Sequence, residues 1–434
     1  MKFYSTNNKN NIASFKDAVL KGLADDGGLF MPEKIPDLDK SFVAGIGKYS
    51  FQEIAFEILS KYSEDEISIS DLSNIVDSTL TFPAPIAKLD DHLNVLELFH
   101  GPTLAFKDFG ARFTARLISH FIKGSDKKLN ILVATSGDTG SAVANGFYGI
   151  DGINVYLLYP SGKVSDIQEK QLTTLDKNIT ALEIKGTFDD CQRMVKAAFV
   201  DEELNKHLNL SSANSINIAR LVPQIFYYFE AYKQLLPINN KFFVSVPSGN
   251  LGNLTAGLFA KFMGLPVDKF VSAVNSNRVF PEYLATGKFV PRPSVKTLSN
   301  AMDVGNPSNL ARIMDLFNNN VSAANDVIFS SGYDDAQTVK AIRNIYDKYD
   351  YVIDPHGAVG YLSLTEYVES QKENNYTGVI LETAHPAKFK DAVEEAINSE
   401  VKIPERLQES IEKEKKSVVL SNEYSAFKEF LMER

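Results

Sequence analysis

Residues 241–264 read KFFVSVPSGNLGNLTAGLFAKFMG: an apolar run of strand type, a glycine-bearing turn, then a helix of small and apolar residues. The same order recurs upstream in LNILVATSGDTGSAVANGF, residues 129–147. Between and around them the alternation continues. GINVYLLYP precedes the helix-forming SDIQEKQLTTL, NITALEIKG precedes FDDCQRMVKAAFV, and INIARLVPQIFYYFEAYKQLL reads as one long helix. KFVSAVNS, DVIFSSGY, YVIDPHGAVGYLSL and GVILETAHPAKFKDAV extend the pattern toward the C-terminus. Strands that are apolar throughout and separated by helices predict an α/β fold with a parallel sheet covered on both faces. Ligands in such sheets bind at the carboxyl ends of the strands, so the loops there are where chemistry is expected.

Outside this core, the first hundred residues read as mostly helical. SFKDAVLKGLADDGGLFMPEKIP holds a short helix and a Gly27-Gly28 break, FQEIAFEILSKY and DLSNIVDSTL are amphipathic helices, TFPAPIAKL is a connector and HLNVLELF a strand. Residues 279–320, rich in Pro, Asn and Arg, lack the alternation and suggest an insertion or loop-rich cap; ESIEKEKKS reads as a solvated helix face. The chain has 434 residues, 44% hydrophobic and 23% charged, enough for two domains or one large α/β domain with an added lobe. A net charge of −10 argues against a nucleic-acid surface. One cysteine, Cys191, leaves no intrachain disulfide, no run approaches the roughly 20 apolar residues of a membrane span, and no secretory signal opens the chain. The expectation is a cytoplasmic protein without membrane or nucleic-acid partners.

Three stretches carry chemistry. In FHGPTLAFKDFGARF, residues 99–113, Lys107 lies where an apolar, turn-rich segment meets a helix carrying Phe109, Phe113 and Leu117 at four-residue spacing. Burial and the positive end of a helix both disfavour the ammonium, which suits an amine that must attack a carbonyl. Taken alone, Lys107 is more simply a lysine whose head reaches water. The turn Ser248, Gly249, Asn250, Leu251, Gly252, Asn253 opens a helix whose exposed amides suit a phosphate, or carries glycine for packing; it is neither a Walker loop nor a dinucleotide fingerprint. TSGDTGSA, residues 135–142, could grip a carboxylate through Ser136, Thr139 and loop amides, or cap its own helix. ETAHPAKF, residues 382–389, offers the Thr383 hydroxyl and His385. None of the six histidines shows ligand spacing such as HExxH, so no metal site is expected. A reactive lysine, a phosphate cradle and a hydroxyl-rich loop together suggest pyridoxal phosphate: a Schiff base on Lys107, the phosphate at 249–253, and a hydroxyl at the pyridine nitrogen.

The chain resembles the threonine synthase family of β-family (tryptophan-synthase-like) pyridoxal phosphate enzymes. The resemblance runs through SFKDAVLKGLADDGGLFMP, HGPTLAFKDFGARF, ATSGDTGSA, YPSGKVSDIQEKQ, ANSINIARLVPQ, VPSGNLGN, DVGNPSN and ETAHPAKF, in family order. It implies fold type II, with parallel-type sheets covered by helices and two lobes around a cofactor cleft. On this division, residues 1–95 form a helical N-terminal segment and 96–434 the cofactor-binding region, with a smaller lobe at roughly 110–215. It implies conversion of O-phospho-L-homoserine and water to L-threonine and phosphate by a monomer or homodimer. Lys107 becomes the Schiff-base lysine and proton shuttle, Ser248 to Asn253 the phosphate loop, and Thr383 the partner of the pyridine nitrogen. Ser136, Gly137, Asp138 and Thr139 fall in the loop for the substrate carboxylate and near the cofactor 3′-oxygen, where many relatives carry Asn in place of Asp138. Arg220, Asn214, Ser215, Asn217 and Lys163 are the candidates for the substrate phosphate, Arg220 foremost because a guanidinium grips phosphate with two prongs. A dehydratase or cysteine synthase on the same scaffold, or a non-catalytic binding protein, are the alternatives.

Overall fold

The computed structural model describes residues 1–125 and 128–434. Two sheets make the frame. The larger has six strands in the order Ile328–Gly332, Lys269–Val274, Lys241–Pro247, Tyr376–Glu382, Leu93–Glu97 and Ile86–Lys88. All pair in parallel except the last, an antiparallel edge. The smaller, wholly parallel sheet orders Val418–Ser421, Ile179–Lys185, Ile153–Pro160, Leu129–Ala134 and Asn209–Ser212. Central strands such as Leu129–Ala134 are buried at every residue, which is why they read as unbroken apolar runs.

Five readings of the sequence change. TFPAPIAKL, read as a connector, ends in the edge strand Ile86–Lys88. The N-terminal segment is not helical alone: Ile12–Ser14, Lys2–Ser5 and Phe30–Pro32 form a three-stranded antiparallel sheet, each strand too short to show alternation. Its helices stand as read, Phe51–Ser63 starting on a capping box between Ser50 and Glu53. The long helix after residue 216 is broken into Ile218–Leu221, a 3-10 turn at Val222–Gln224 and Ile225–Gln234, because Pro223 has no amide to donate. YVI, residues 351–353, pairs with no strand and leads directly into the helix Pro355–Gln371. Finally, ESIEKEKKS leaves its helix after Ile411, and Lys415 reaches Glu169 and Glu183 at 2.8 and 2.7 Å. That contact brings the terminal strand Val418–Ser421 and helix Tyr424–Met432 onto the smaller sheet.

Candidate active site

A cavity of about 480 Å3 opens where strand ends from both sheets converge. Pro247, Thr383, Ala134 and Asn214 line it, each at or just beyond the carboxyl end of a different strand.

Lys107 enters as the first residue of the helix Lys107–Ile122. The preceding turn is closed by Asp108, whose buried carboxylate accepts from the Thr103 amide at 2.8 Å and the Thr103 hydroxyl at 2.7 Å. The turn is stitched to the ETAHPAKF loop: Phe106 N–H donates to the Thr383 carbonyl at 2.9 Å, His385 N–H to the Leu104 carbonyl at 3.0 Å, and Ala105 bridges Ala384. Lys107 and Thr383, 276 positions apart in sequence (383 − 107), therefore line one wall. Only 15% of the Lys107 side chain is exposed. Burial lowers its pKa, opposed by Asp138 and reinforced by Lys388 and Arg220.

The 249–253 turn presents its backbone to the cavity. No protein acceptor among the described residues takes the amides of Asn250, Leu251 and Gly252, at the start of the helix Gly252–Phe262. The side chains of Ser248 and Asn253 are spent on the turn itself. Ser248 Oγ donates to Asn253 Oδ1 at 2.6 Å, and Asn253 Nδ2 donates to the Pro247 carbonyl at 2.7 Å. Ser248 and Leu251 do not face the cavity; Gly249, Asn250, Gly252 and Asn253 do. The left-handed residue is Leu251, with φ 59°, rather than either glycine. Gly249 is needed for another reason: a Cβ there would lie 2.6 Å from Met302 Cα and 2.9 Å from the Ala301 carbonyl.

In the 135–142 turn, Thr135 Oγ1 accepts from the amides of Gly137 and Gly140 at 3.0 and 2.7 Å, leaving Ser136 and Thr139 on the cavity wall. Gly137 turns against Gln168 and is not on the wall; Asp138 is buried behind it. Arg220 lines the cavity, packed on Gly110, with one nitrogen donating to the Ala213 carbonyl and Nε without a partner. Burial brings its pKa down to about 10, still a cation at neutral pH. Asn214 and Ser215 are on the wall as well, Ser215 Oγ accepting from Asn250 Nδ2 at 2.6 Å.

Two expected substrate residues stand elsewhere. Asn217 is a buried helix cap: its Oδ1 accepts from Ala219 N–H and its Nδ2 donates to the Val19 and Ser212 carbonyls, all at 2.9 Å. Its hydrogen-bonding capacity goes to holding the N-terminal segment. Lys163 is exposed on a turn facing solvent and lines no part of the cavity.

Sequence reasoning missed other contributors. Lys388, inside the quoted ETAHPAKF, is fully buried and ion-paired to Asp138 at 2.6 Å. The loop-rich segment after residue 279 supplies a whole wall, from Pro291 to Ser294 and from Asn300 to Asn306. His356 holds that wall, taking the Ala301 amide on Nε2 at 3.2 Å while Nδ1 meets Asp354 at 2.6 Å. Among the described residues, no group of three or more His, Cys, Asp or Glu is placed to hold a metal.

A buried amine of lowered basicity, a helix start with free amides and a hydroxyl at Thr383, around one cavity, fit pyridoxal phosphate; with the fold they define a pyridoxal-phosphate-dependent enzyme of fold type II. Family models describe the chain end to end: "Threonine synthase N terminus" over residues 2–80, "Pyridoxal-phosphate dependent enzyme" over 81–383 and "Threonine synthase, C-terminal" over 357–431. It is 43% identical to the threonine synthase of Escherichia coli, over all of this chain and 99% of that one. The E. coli threonine synthase crystal structure superposes with a TM-score of 0.93 at 42% identity, covering both chains fully. The PLP-bound threonine synthase of Brucella melitensis gives 0.92 at 33%, over all of this chain and 99% of that one. The chain belongs to the threonine synthase family.

Proposed function

We propose that the cavity takes O-phospho-L-homoserine, eliminates its phosphate and adds water at Cβ to give L-threonine, with Lys107 carrying the cofactor and moving the protons. The observation that carries this is the position of Lys107: an amine of lowered basicity, facing a cavity bounded by Thr383 on one side and the amides at the start of Gly252–Phe262 on another. Bound pyridoxal phosphate supplies an electron sink conjugated to the substrate amine.

The chain's own residues supply the rest. Gly249 to Asn253 hold the cofactor phosphate through backbone amides. Thr383 would offer a neutral hydroxyl to the pyridine nitrogen, while Asp138, expected near the 3′-oxygen, lies behind the wall and would act on the site through Lys107 and Lys388. Ser136 and Thr139 receive the substrate carboxylate; Gly137, whose amide is taken by Thr135 Oγ1, shapes the turn from behind the wall. Arg220, with Asn214 and Ser215, receives the substrate phosphate; Asn217 supports that loop from beneath, and Lys163 is set aside. Lys107 takes the Cα proton. Because the leaving phosphate is on Cγ, two bonds beyond Cα, a second proton leaves Cβ before phosphate departs. Lys107 is the base within reach for that proton; the phosphate, once released and held by Arg220, serves as a base only in the later steps. Protonation at Cγ and hydration at Cβ complete the sequence.

The larger division also belongs to this reading, with its boundary moved from residue 95 to before Ile86, because Ile86–Lys88 and Leu93–Glu97 pair within the larger sheet: an N-terminal segment, then a two-lobed region, with 418–432 joining the smaller lobe. The protein acts as a monomer or homodimer in the cytoplasm on a small-molecule substrate, and the net charge of −10 speaks against nucleic acid. Among the described residues no helix is long and apolar enough to cross a membrane. Steady-state assays test the reaction directly: O-phospho-L-homoserine should yield threonine and phosphate. Turnover of threonine or serine instead, with none of O-phospho-L-homoserine, would point to a dehydratase.

A further inference from the structure

Asp138 is a buried carboxylate within reach of two lysines, the wholly buried Lys388 and Lys107 at the cavity wall, and it is not shared equally. Its Oδ1 accepts from Lys388 Nζ at 2.6 Å and from Gln168 Nε2 at 2.9 Å, whereas its Oδ2 stays 3.7 Å from Lys107 Nζ. Lys388 has no exposed side-chain surface and donates a second bond to the Thr103 carbonyl at 3.0 Å, in the turn that delivers Lys107. Lys107 lines the cavity; Asp138 and Lys388 do not. The bonded pair thus lies behind the wall and Lys107 in front of it.

We propose that Lys388 is a positioning residue for Lys107: by engaging Asp138 from behind, it keeps the carboxylate from capturing the Lys107 amine. A buried carboxylate must find a cation or be neutralised. Without Lys388 the next cation is Lys107, and a lysine locked as an ammonium neither attacks a carbonyl nor accepts a proton. With Lys388 present, its contact offsets the Asp138 carboxylate, and Lys107 at 3.7 Å is left outside the bonded pair. The charged groups acting on Lys107 agree with this: Lys388 and Arg220 disfavour its ammonium, Asp138 and Asp354 favour it.

The inference rests on Lys107 being the cofactor lysine, and its test separates the two. Full-length enzyme is stripped of cofactor, and the rate of pyridoxal phosphate uptake is followed by visible absorbance from pH 6 to 10. The attachment point is then read by borohydride reduction and peptide mass. Lys388→Met should move the pH midpoint of uptake up by about one unit and slow uptake at pH 7 about tenfold. Lys388→Arg should keep the midpoint near that of the unmutated protein. Asp138→Asn added to Lys388→Met should restore it. That double variant buries no unpaired charge, so it reads the proposal even where Lys388→Met fails to fold. An unshifted midpoint in Lys388→Met, or a double variant whose midpoint stays displaced, overturns the proposal. Label on a residue other than Lys107 in the unmutated protein overturns the underlying reading instead.

Discussion

The amide of Phe106 donates to the carbonyl of Thr383 across 2.9 Å, joining the turn that delivers Lys107 to the loop that carries the Thr383 hydroxyl. The bond is between backbones, so the side chain of Thr383 is free for the cofactor. Thr383→Val keeps the bond and the volume and removes the hydroxyl alone. It should lower kcat about tenfold to a hundredfold and shift the visible absorbance of the holoenzyme, with little change in melting temperature. An unaltered spectrum and kcat would remove Thr383 from the site.

Gly249 packs against the wall rather than supplying a special backbone angle. Gly249→Ala places a methyl 2.6 Å from Met302 Cα and 2.9 Å from the Ala301 carbonyl, both backbone atoms. The substitution should cost about 1–3 kcal/mol of stability and weaken cofactor binding, measured by thermal melts and pyridoxal phosphate titration.

Arg312 is fully buried and ties three parts of the chain together. It donates to the Phe30 carbonyl at 3.1 and 3.0 Å, to the Ile216 carbonyl at 2.7 Å and to Asn309 Oδ1 at 2.7 Å. Arg312→Met leaves those acceptors buried without a donor, and should destabilise the protein by about 3 kcal/mol or more in denaturant unfolding. Because Ile216 follows Asn214 and Ser215, KM for the phosphorylated substrate should rise as well.

His385 gives a pH signature. Burial, then His100, push its imidazole down from 6.5 to about 4. Between those values the unfolded chain binds the extra proton, so this contribution to stability is complete above pH 6.5 and is lost as pH falls toward 4. His385 also caps the turn Pro386–Phe389, its Nδ1 accepting from Ala387 N–H at 3.1 Å. His385→Asn keeps an acceptor and removes the titration. Relative to the unmutated protein, its melting temperature should fall less steeply between pH 6.5 and 4.

What was legible in the chain was local. The 129–147 and 241–264 units, the helix after Lys107 and the amide turn at 249–253 each follow from a few neighbouring residues. What was not legible depended on distance or on competing demands. Lys388 meets Asp138 from 250 positions away (388 − 138), and nothing in AHPAKF marks its lysine as buried. Asn217 sits in a motif that reads as polar and available, yet the N-terminal segment claims its amide through the Val19 carbonyl. The wall at 291–306 has little regular structure, so periodicity could not assign it; its shape comes from contacts such as His356 to Ala301. YVI at 351–353 shows the converse failure, an apolar run of strand type that pairs with no strand.

The central claim is that Lys107, and not its buried neighbour Lys388, carries the cofactor. Borohydride reduction of the holoenzyme followed by peptide mapping tests it most directly. A single pyridoxyl label on Lys107, with loss of the visible aldehyde-derived absorbance, is the predicted result. A label on Lys388 or any other lysine would contradict it.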